Sequence, residues 1–298
     1  MKNRQGKQSN GNLKQAKSRV TLDRAFSKAG MFSRTEALKK IKSGAVKVNG
    51  RVVREPASWI SLSQDTILCD GQKLRERPKL YLMLYKPKGV VTSHGDPGQR
   101  KTVYDLLTGL DEWVFPVGRL DLDTSGLLIM TNDTALGEQM TNPLSKIPKT
   151  YQLKIDFHPT QEQLDKLARG LELENGETTL PAKVKVLRQN EKYSFLELVL
   201  VEGKNRQVRR MIEALGGHVM KLVRTRIGNL ALGDLPIGRY RSLGSQELAE
   251  LLMRPASSAA RESAPEAPRS RANVSRNPVG RRAKGTGSGQ SSRTKADG

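Results

Sequence analysis

The chain has a single cysteine, Cys69, among 298 residues, and aromatic side chains make up only 4% of it. One cysteine excludes a disulfide framework and the usual zinc sites, which need several Cys or His at short spacings. The chain also lacks an apolar run long enough to span a bilayer, and its first residues lack the apolar core of a signal peptide. We therefore expect a cytoplasmic protein with no membrane partner and no metal.

Acidic side chains are few: the sequence has 52 Lys and Arg but only 30 Asp and Glu, so its net charge is +22. Residues 1–20 and 254–298 carry +13 of this charge, which leaves about +9 for residues 21–253. A positive field over the folded part indicates a polyanionic partner, above all nucleic acid, although a solvated basic face or an anionic membrane surface would give the same balance. The two ends lack hydrophobic periodicity, and we expect a disordered basic arm over 1–19 and a disordered basic tail over 254–298.

Residues 20–68 predict a small module of two helices and a hairpin. Apolar residues follow helical spacing from Leu22 to Gly30, and the capping-box sequence that starts at Ser33 opens a second helix. Alternating residues around Asn49-Gly50 are typical of a β-hairpin. Residues 69–79 are polar and broken by Gly and Pro, which suits a linker.

Basic residues are concentrated on the second helix and the hairpin of this module. The sequence there resembles the S4 RNA-binding domain, in Ser33-Arg34-Thr35-Glu36-Ala37 and in Gly44-Ala45-Val46-Lys47-Val48-Asn49-Gly50. The resemblance implies that the module binds structured RNA, through backbone and shape more than through base sequence. The residues expected to bind RNA here are Arg34, Lys39, Lys40, Lys42, Lys47 and Arg51.

Residues 80–253 mix strand-like and helix-like segments without a repeat and without the regular alternation of a doubly wound sheet. Alternating or apolar runs at 80–85, 149–155, 182–187 and 193–201 predict strands. Helical patterns occupy the intervals, so the fold class is α+β.

One polar turn, Gly118 to Gly126, separates the apolar run 114–117 from the apolar run 127–130. It places Asp121 and Asp123 at the end of a rigid element, where a scaffold can fix their direction. An ordinary connection between strands has the same composition. The two carboxylates could also bind Mg²⁺ in a nuclease, but a third carboxylate at a recognisable spacing is missing.

The segment from Asn205 to Leu215 predicts an amphipathic helix with one apolar face. Arg206 and Arg210 project away from that face and would be free for phosphates, whereas Arg209 lies at its flank, within reach of a half-buried partner. A solvated surface helix is the alternative reading of this segment alone.

Taken together, these segments resemble the RsuA family of ribosomal RNA pseudouridine synthases, in family order over about residues 20–250. The matching motifs are Tyr85-Lys86-Pro87-Lys88-Gly89, Gly118-Arg119-Leu120-Asp121, Lys149-Thr150-Tyr151 and Glu202-Gly203-Lys204-Asn205-Arg206-Gln207-Val208-Arg209-Arg210-Met211. The resemblance implies an S4 domain followed by a catalytic domain with a mainly antiparallel sheet. It also implies an enzyme that isomerises one uridine of ribosomal RNA without a cofactor, as a monomer.

The same resemblance assigns roles to individual residues. Asp121 would be the catalytic carboxylate, and Arg209 would pair with it and keep it ionised. Tyr151 would stack on the target base, Leu198 would line the pocket, and Arg119 would fill the gap left by the extruded nucleotide or hold the RNA backbone. The expected phosphate contacts of the catalytic domain are Lys86, Lys204, Asn205 and Arg206. A non-catalytic S4 protein that binds ribosomal RNA during assembly is the alternative; a membrane-surface protein fits less well, because no basic amphipathic helix with aromatic anchors is present.

Overall fold

The computed structural model describes residues 19–252. The expected basic arm and basic tail lie outside these residues, apart from Arg19. None of the helices described is both long and apolar enough to cross a membrane.

The S4-like module contains two helices and six short strands. Its four-stranded sheet has the order β3-β2-β5-β6, β1 pairs with β4, and Phe26, Ile41 and Val46 are completely buried in its core. The elements are β1 Arg19–Thr21, α1 Leu22–Lys28, α2 Arg34–Ser43, β2 Val46–Val48, β3 Arg51–Val52, β4 Trp59–Ser61, β5 Ile67–Cys69 and β6 Gln72–Lys73.

The predicted helix cap and the predicted hairpin turn of this module are both confirmed. The Ser33 hydroxyl accepts a hydrogen bond from the Glu36 N–H at 3.1 Å and so caps α2. Asn49 and Gly50 both have positive φ, 49° and 83°, as a two-residue hairpin turn requires. The predicted linker, in contrast, begins too early: β5 and β6 form a second hairpin, and the sheet of the module extends to Lys73.

The larger domain begins at Tyr81 and consists of mixed helices and strands. Its elements are β7 Tyr81–Lys86, a 3₁₀ turn Val103–Leu106, β8 Phe115–Pro116, β9 Ser125–Thr131, α3 Thr134–Thr141, a 3₁₀ turn Pro143–Ser145, β10 Lys149–Ile155, α4 Gln161–Arg169, β11 Lys183–Gln189, β12 Ser194–Leu200, α5 Gln207–Glu213, β13 Val219–Ile227, β14 Leu230–Ala231, β15 Tyr240–Ser242 and α6 Ser245–Leu252.

Nine strands of this domain form one sheet with the order β11-β12-β10-β13-β9-β7-β15, with β14 beside β13 and β8 beside β9. The β9–β13 pair is parallel, and the other described pairs are antiparallel. The expected α+β class and mainly antiparallel sheet are therefore confirmed. The parallel pair joins strands that are about 100 residues apart in the chain, so it could not be read from local patterns.

The junction of β9 and β13 depends on Gly126. Gly126 has a φ of +117°, and a Cβ atom at this position would overlap the main chain of Arg224 in β13. Lys86 in β7 is directly opposite Gly126 on one side, and Arg224 is its partner on the other. The glycine therefore lets β9 and β13 approach closely. Both cross-strand partners of Gly126, Lys86 in β7 and Arg224 in β13, have cationic side chains.

The connection between the two domains is hydrogen-bonded to both. The Arg77 N–H donates to the Ala29 carbonyl at the end of α1 over 2.9 Å. The Asn132 side chain accepts from the Leu80 N–H at 2.8 Å and donates to the Pro78 carbonyl at 2.9 Å. These bonds tie the end of the linker to the S4-like module and to the turn that precedes α3.

We predict that Gly126→Ala destabilises the protein by at least about 3 kcal/mol, because the new methyl group must displace the Arg224 main chain and sits at an unfavourable φ. Gly95→Ala is the matched control, since nothing lies within 4 Å of a Cβ built at that exposed glycine. Thermal unfolding of both variants measures the difference. Equal midpoints for the two would contradict the close approach of β9 and β13.

Candidate active site

A cavity of about 520 Å³ opens over the centre of the sheet of the larger domain. Its floor comes from the same face of three neighbouring strands, with Leu200 in β12, Lys149 and Tyr151 in β10, and Leu222 and Arg224 in β13. A volume of this size is typical of small-molecule sites and is large enough for one nucleotide base and its sugar. The floor is apolar at one side and cationic at the other.

The polar turn that follows β8 forms one wall of this cavity and includes Asp121. The Asp121 side chain is half-buried, and within residues 19–252 no hydrogen bond or ion pair engages its carboxylate. Asp123 is exposed, and its carboxylate lies 3.9 Å from the ammonium group of Lys88. The structure therefore separates the two aspartates: Asp121 lines the cavity, and Asp123 does not.

Lys86 holds this turn from below. It is fully buried, and its ammonium group donates to the carbonyl oxygens of Asp121 at 3.1 Å, Thr124 at 2.8 Å and Pro87 at 3.0 Å. Burial lowers the pKa of Lys86 to about 8, against the opposing effect of the nearby Asp121 carboxylate. We expected Lys86 to contact a phosphate, but a buried ammonium group with three main-chain partners has no surface to offer RNA.

Arg209 on α5 holds the same turn from the side. Its guanidinium donates to the Asp123 carbonyl at 2.9 Å and to the Val219 carbonyl at 3.0 Å, and its buried Nε has no partner. The expected ion pair with the Asp121 carboxylate is not formed. Burial lowers the pKa of Arg209, Arg206 adds to this, and the carboxylates of Asp123 and Asp121 act against it. The positive charge of Arg209 thus lies near Asp121 without touching it.

The opposite wall of the cavity contains Lys204, Asn205 and Arg206. Asn205 and Arg206 are exposed, as phosphate contacts require. Lys204 is not free, because its ammonium group contacts the Glu177 carboxylate at 2.9 Å and the Thr178 carbonyl at 2.8 Å. The expected phosphate contact therefore fits Asn205 and Arg206 better than Lys204.

Arg210, which we also expected to be free for phosphates, donates to the Glu177 carboxylate at 3.1 Å. On the S4-like module, two more of the basic residues have acidic partners: Arg34 bonds Asp23 at 2.8 Å, and Lys40 bonds Asp70 at 2.6 Å. The remaining members of the expected surface are exposed; they are Lys39, Lys42, Lys47 and Arg51.

Two residues of the site differ from the sequence expectation. Leu198 lies opposite Tyr151 on the same face of the sheet but is buried in the hydrophobic core and does not line the cavity, whereas Leu222 does. Arg224 is not among the residues predicted for the site, but β13 extends from Val219 to Ile227 and brings it to the cavity. The alternation of Leu222 and Arg224 on one face was the available signal. Arg119 and Tyr151 both line the cavity, as expected.

Comparison with known proteins identifies both domains of the chain. Residues 80–214 match the RNA pseudouridylate synthase family, and residues 20–64 match the S4 domain. The chain is 42% identical to ribosomal large subunit pseudouridine synthase B of Bacillus subtilis (strain 168) over 232 residues, which cover 77% of this chain and 94% of the relative.

An uncharacterized RNA pseudouridine synthase of Aquifex aeolicus (strain VF5) is 38% identical over 78% of this chain and 93% of the relative. Among solved structures, a pseudouridylate synthase superposes with a TM-score of 0.58 at 32% identity, covering 78% of this chain and 99% of that one.

We predict that Lys86→Met destabilises the folded protein by about 2 kcal/mol, because three carbonyl groups lose a charge-assisted donor. RNA affinity and its salt dependence should not change, since Lys86 does not reach the surface. Lys88→Met is the control, as Lys88 is exposed in the same loop. Thermal unfolding and RNA binding at several salt concentrations measure both effects; a lower salt slope for Lys86→Met would restore the phosphate role.

Proposed function

Because the chain belongs to the RsuA family of pseudouridine synthases, we propose that it isomerises one uridine of ribosomal RNA to pseudouridine, with Asp121 as the catalytic carboxylate. The observation that carries this assignment is the Asp121 carboxylate itself. It belongs to a residue that lines a cavity of nucleotide size, it has no partner among the described residues, and Lys86 and Arg209 bond the main-chain carbonyls of Asp121 and of the residues that follow it. A free, fixed carboxylate is what an attack on the sugar requires.

The reaction needs no redox change and no group from outside. The C1′–N1 bond breaks and its electron pair stays with the base, the base turns in the pocket, and C5 bonds to C1′. The proton on C5 is then lost, and N1 takes up a proton. Asp121 acts on the sugar either as nucleophile at C1′ or as the base that removes a sugar proton, and both roles require it to be ionised.

The other cavity residues position the nucleotide. Tyr151 lies on the cavity floor and can stack on the base. Arg119 is exposed at the mouth beside Asp121, where it can fill the gap in the RNA stack or hold the backbone. Asn205 and Arg206 also line the cavity, are exposed, and can bind the flanking phosphates.

The S4-like module supplies the rest of the RNA contact through Lys39, Lys42, Lys47 and Arg51, all exposed on α2 and the first hairpin. The name of the Bacillus relative points to large-subunit ribosomal RNA as the substrate. The single cysteine and the basic charge suit a monomer that works on ribosomal RNA in the cytoplasm.

We predict that Asp121→Asn retains RNA binding but lowers turnover by about 1,000-fold or more, because a neutral amide cannot attack the sugar or remove its proton. Asp123→Asn should keep its activity, since its side chain points away from the cavity. Release of tritium from C5 of labelled uridine measures turnover directly. Full activity of Asp121→Asn would overturn the assignment.

A map of pseudouridines in ribosomal RNA from cells that lack this protein tests the function as a whole. One site should disappear, and the Asp121→Asn variant should fail to restore it. If no site is lost, or if the variant complements the deletion fully, the protein is instead a non-catalytic RNA-binding factor of ribosome assembly.

A further prediction concerns the S4-like module and is made for the full chain. Replacing Lys39, Lys42 and Lys47 by Gln removes exposed positive charges, so RNA binding should weaken and the slope of log K against log salt should fall by about 2. The matched control replaces Lys183, Lys185 and Lys192, which are exposed at the far edge of the sheet. Equal slopes for the two triple variants would contradict an RNA contact through the module.

A further inference from the structure

Arg224 lines the cavity but has no role in the proposed function. One row of residues crosses the sheet in register through Lys86, Gly126, Arg224, Tyr151 and Leu198. Directly opposite residues in a sheet place their side chains on the same face, about 5 Å apart. The side chains of Arg224 and Tyr151 therefore leave neighbouring positions on the same face, and both line the cavity.

The Arg224 guanidinium is fixed but not saturated. The side chain is buried, with 5% of its surface exposed, and its Nε donates to the Leu127 carbonyl over 2.8 Å. No hydrogen bond within residues 19–252 engages either terminal nitrogen, and Nη2 is completely enclosed. Nη1 is the terminal nitrogen that is not enclosed, so an acceptor on a ligand in the cavity can reach it.

Arg224 and the two lysines near it form no ion pair with a carboxylate among the described residues. Lys86 and Lys149 are close enough for Arg224 to lower the pKa of each, in addition to the larger effect of burial. Within the described part of the chain, no ion pair engages Arg224, Lys86 or Lys149. Three cations thus lie under a cavity whose own carboxylate, Asp121, belongs to the reaction. Such a floor favours negative charge that develops on the substrate.

The proposed reaction develops negative charge on the base. When the C1′–N1 bond breaks, the electron pair stays on N1 and is delocalised onto the ring carbonyl oxygens. The uracil anion is the leaving group at this step, and it remains in the pocket until C5 attacks the sugar. A donor aimed at a ring carbonyl binds the anion more strongly than it binds the neutral base, and only such a difference accelerates the step.

We propose that Arg224 is a further catalytic residue, whose Nη1 group donates to a carbonyl oxygen of the uracil ring and stabilises the base as it leaves C1′. The guanidinium keeps its protons throughout, because it acts as a hydrogen-bond donor and not as an acid. This inference rests on the proposed function, since it assigns a role within the isomerisation.

The experiment compares single-turnover rates of Arg224→Met and the wild-type protein on two RNA substrates, one with uridine and one with 5-fluorouridine at the target. Fluorine withdraws electrons, so 5-fluorouracil is the better leaving group and needs less help. On uridine we expect a rate loss on the order of 100-fold, the usual effect of removing one donor to a developing charge. On 5-fluorouridine we expect a loss of about tenfold, measured as disappearance of the substrate nucleoside.

Two further variants keep the test informative if Arg224→Met is poorly folded. Arg224→Lys retains a positive charge and a donor, so it should lose less on uridine than Arg224→Met does. Arg226→Met, two residues further along β13 at an exposed position, is the matched control and should react at the wild-type rate on both substrates. RNA affinity and the unfolding midpoint, measured for each variant, show whether the fold is intact.

An equal loss on uridine and 5-fluorouridine for a folded Arg224 variant would overturn the catalytic role, because a purely structural defect does not depend on the leaving group. Wild-type activity of Arg224→Met would overturn it as well. Failure of the proposed function is a separate result: in that case the wild-type protein itself forms no pseudouridine and Asp121→Asn changes nothing.

Discussion

The buried ammonium group of Lys86 is the interaction on which the site depends. Its three carbonyl acceptors belong to the turn after β8 and to the residue that follows Lys86 itself, so one side chain fixes the main chain from Asp121 to Thr124 against the end of β7. A buried charge is costly unless hydrogen bonds compensate it. A path of the turn that moved its carbonyl oxygens away would leave the buried ammonium group with fewer acceptors, so the ammonium group favours the observed path.

The second constraint is the parallel pairing of β9 with β13. It brings Arg224 next to Gly126 and opposite Tyr151, so that residues from three distant parts of the chain form one row across the sheet. Gly126 makes this possible, because any larger residue would hold the two strands apart. The end of the turn that contains Asp121 and the floor of the cavity are therefore parts of the same packing arrangement.

The sequence predicts the elements that depend on neighbouring residues. The cap at Ser33 and the Asn49-Gly50 turn follow local rules, and the position of Asp121 at the start of a buried strand follows from the apolar runs around it. The partners of charged side chains could not be predicted in this way. Lys86, Lys204 and Arg210 all suggest phosphate contacts in the sequence, yet each has main-chain or carboxylate acceptors in the fold. The carbonyls of Asp121 and Thr124 and the carboxylate of Glu177 come from residues far away in the chain, so no local pattern predicts them.

The hydrogen-bonded junction between the domains has a consequence for the choice of substrate. The Arg77 amide is bonded to the S4-like module, and the Asn132 side chain is bonded to both Leu80 and Pro78 at the entrance of β7. These bonds hold the basic surface of the S4-like module at a set distance from the cavity that contains Asp121. If Asp121 is the catalytic carboxylate, as proposed, an RNA bound to the module would present to the cavity the uridine that lies at the matching distance along its fold.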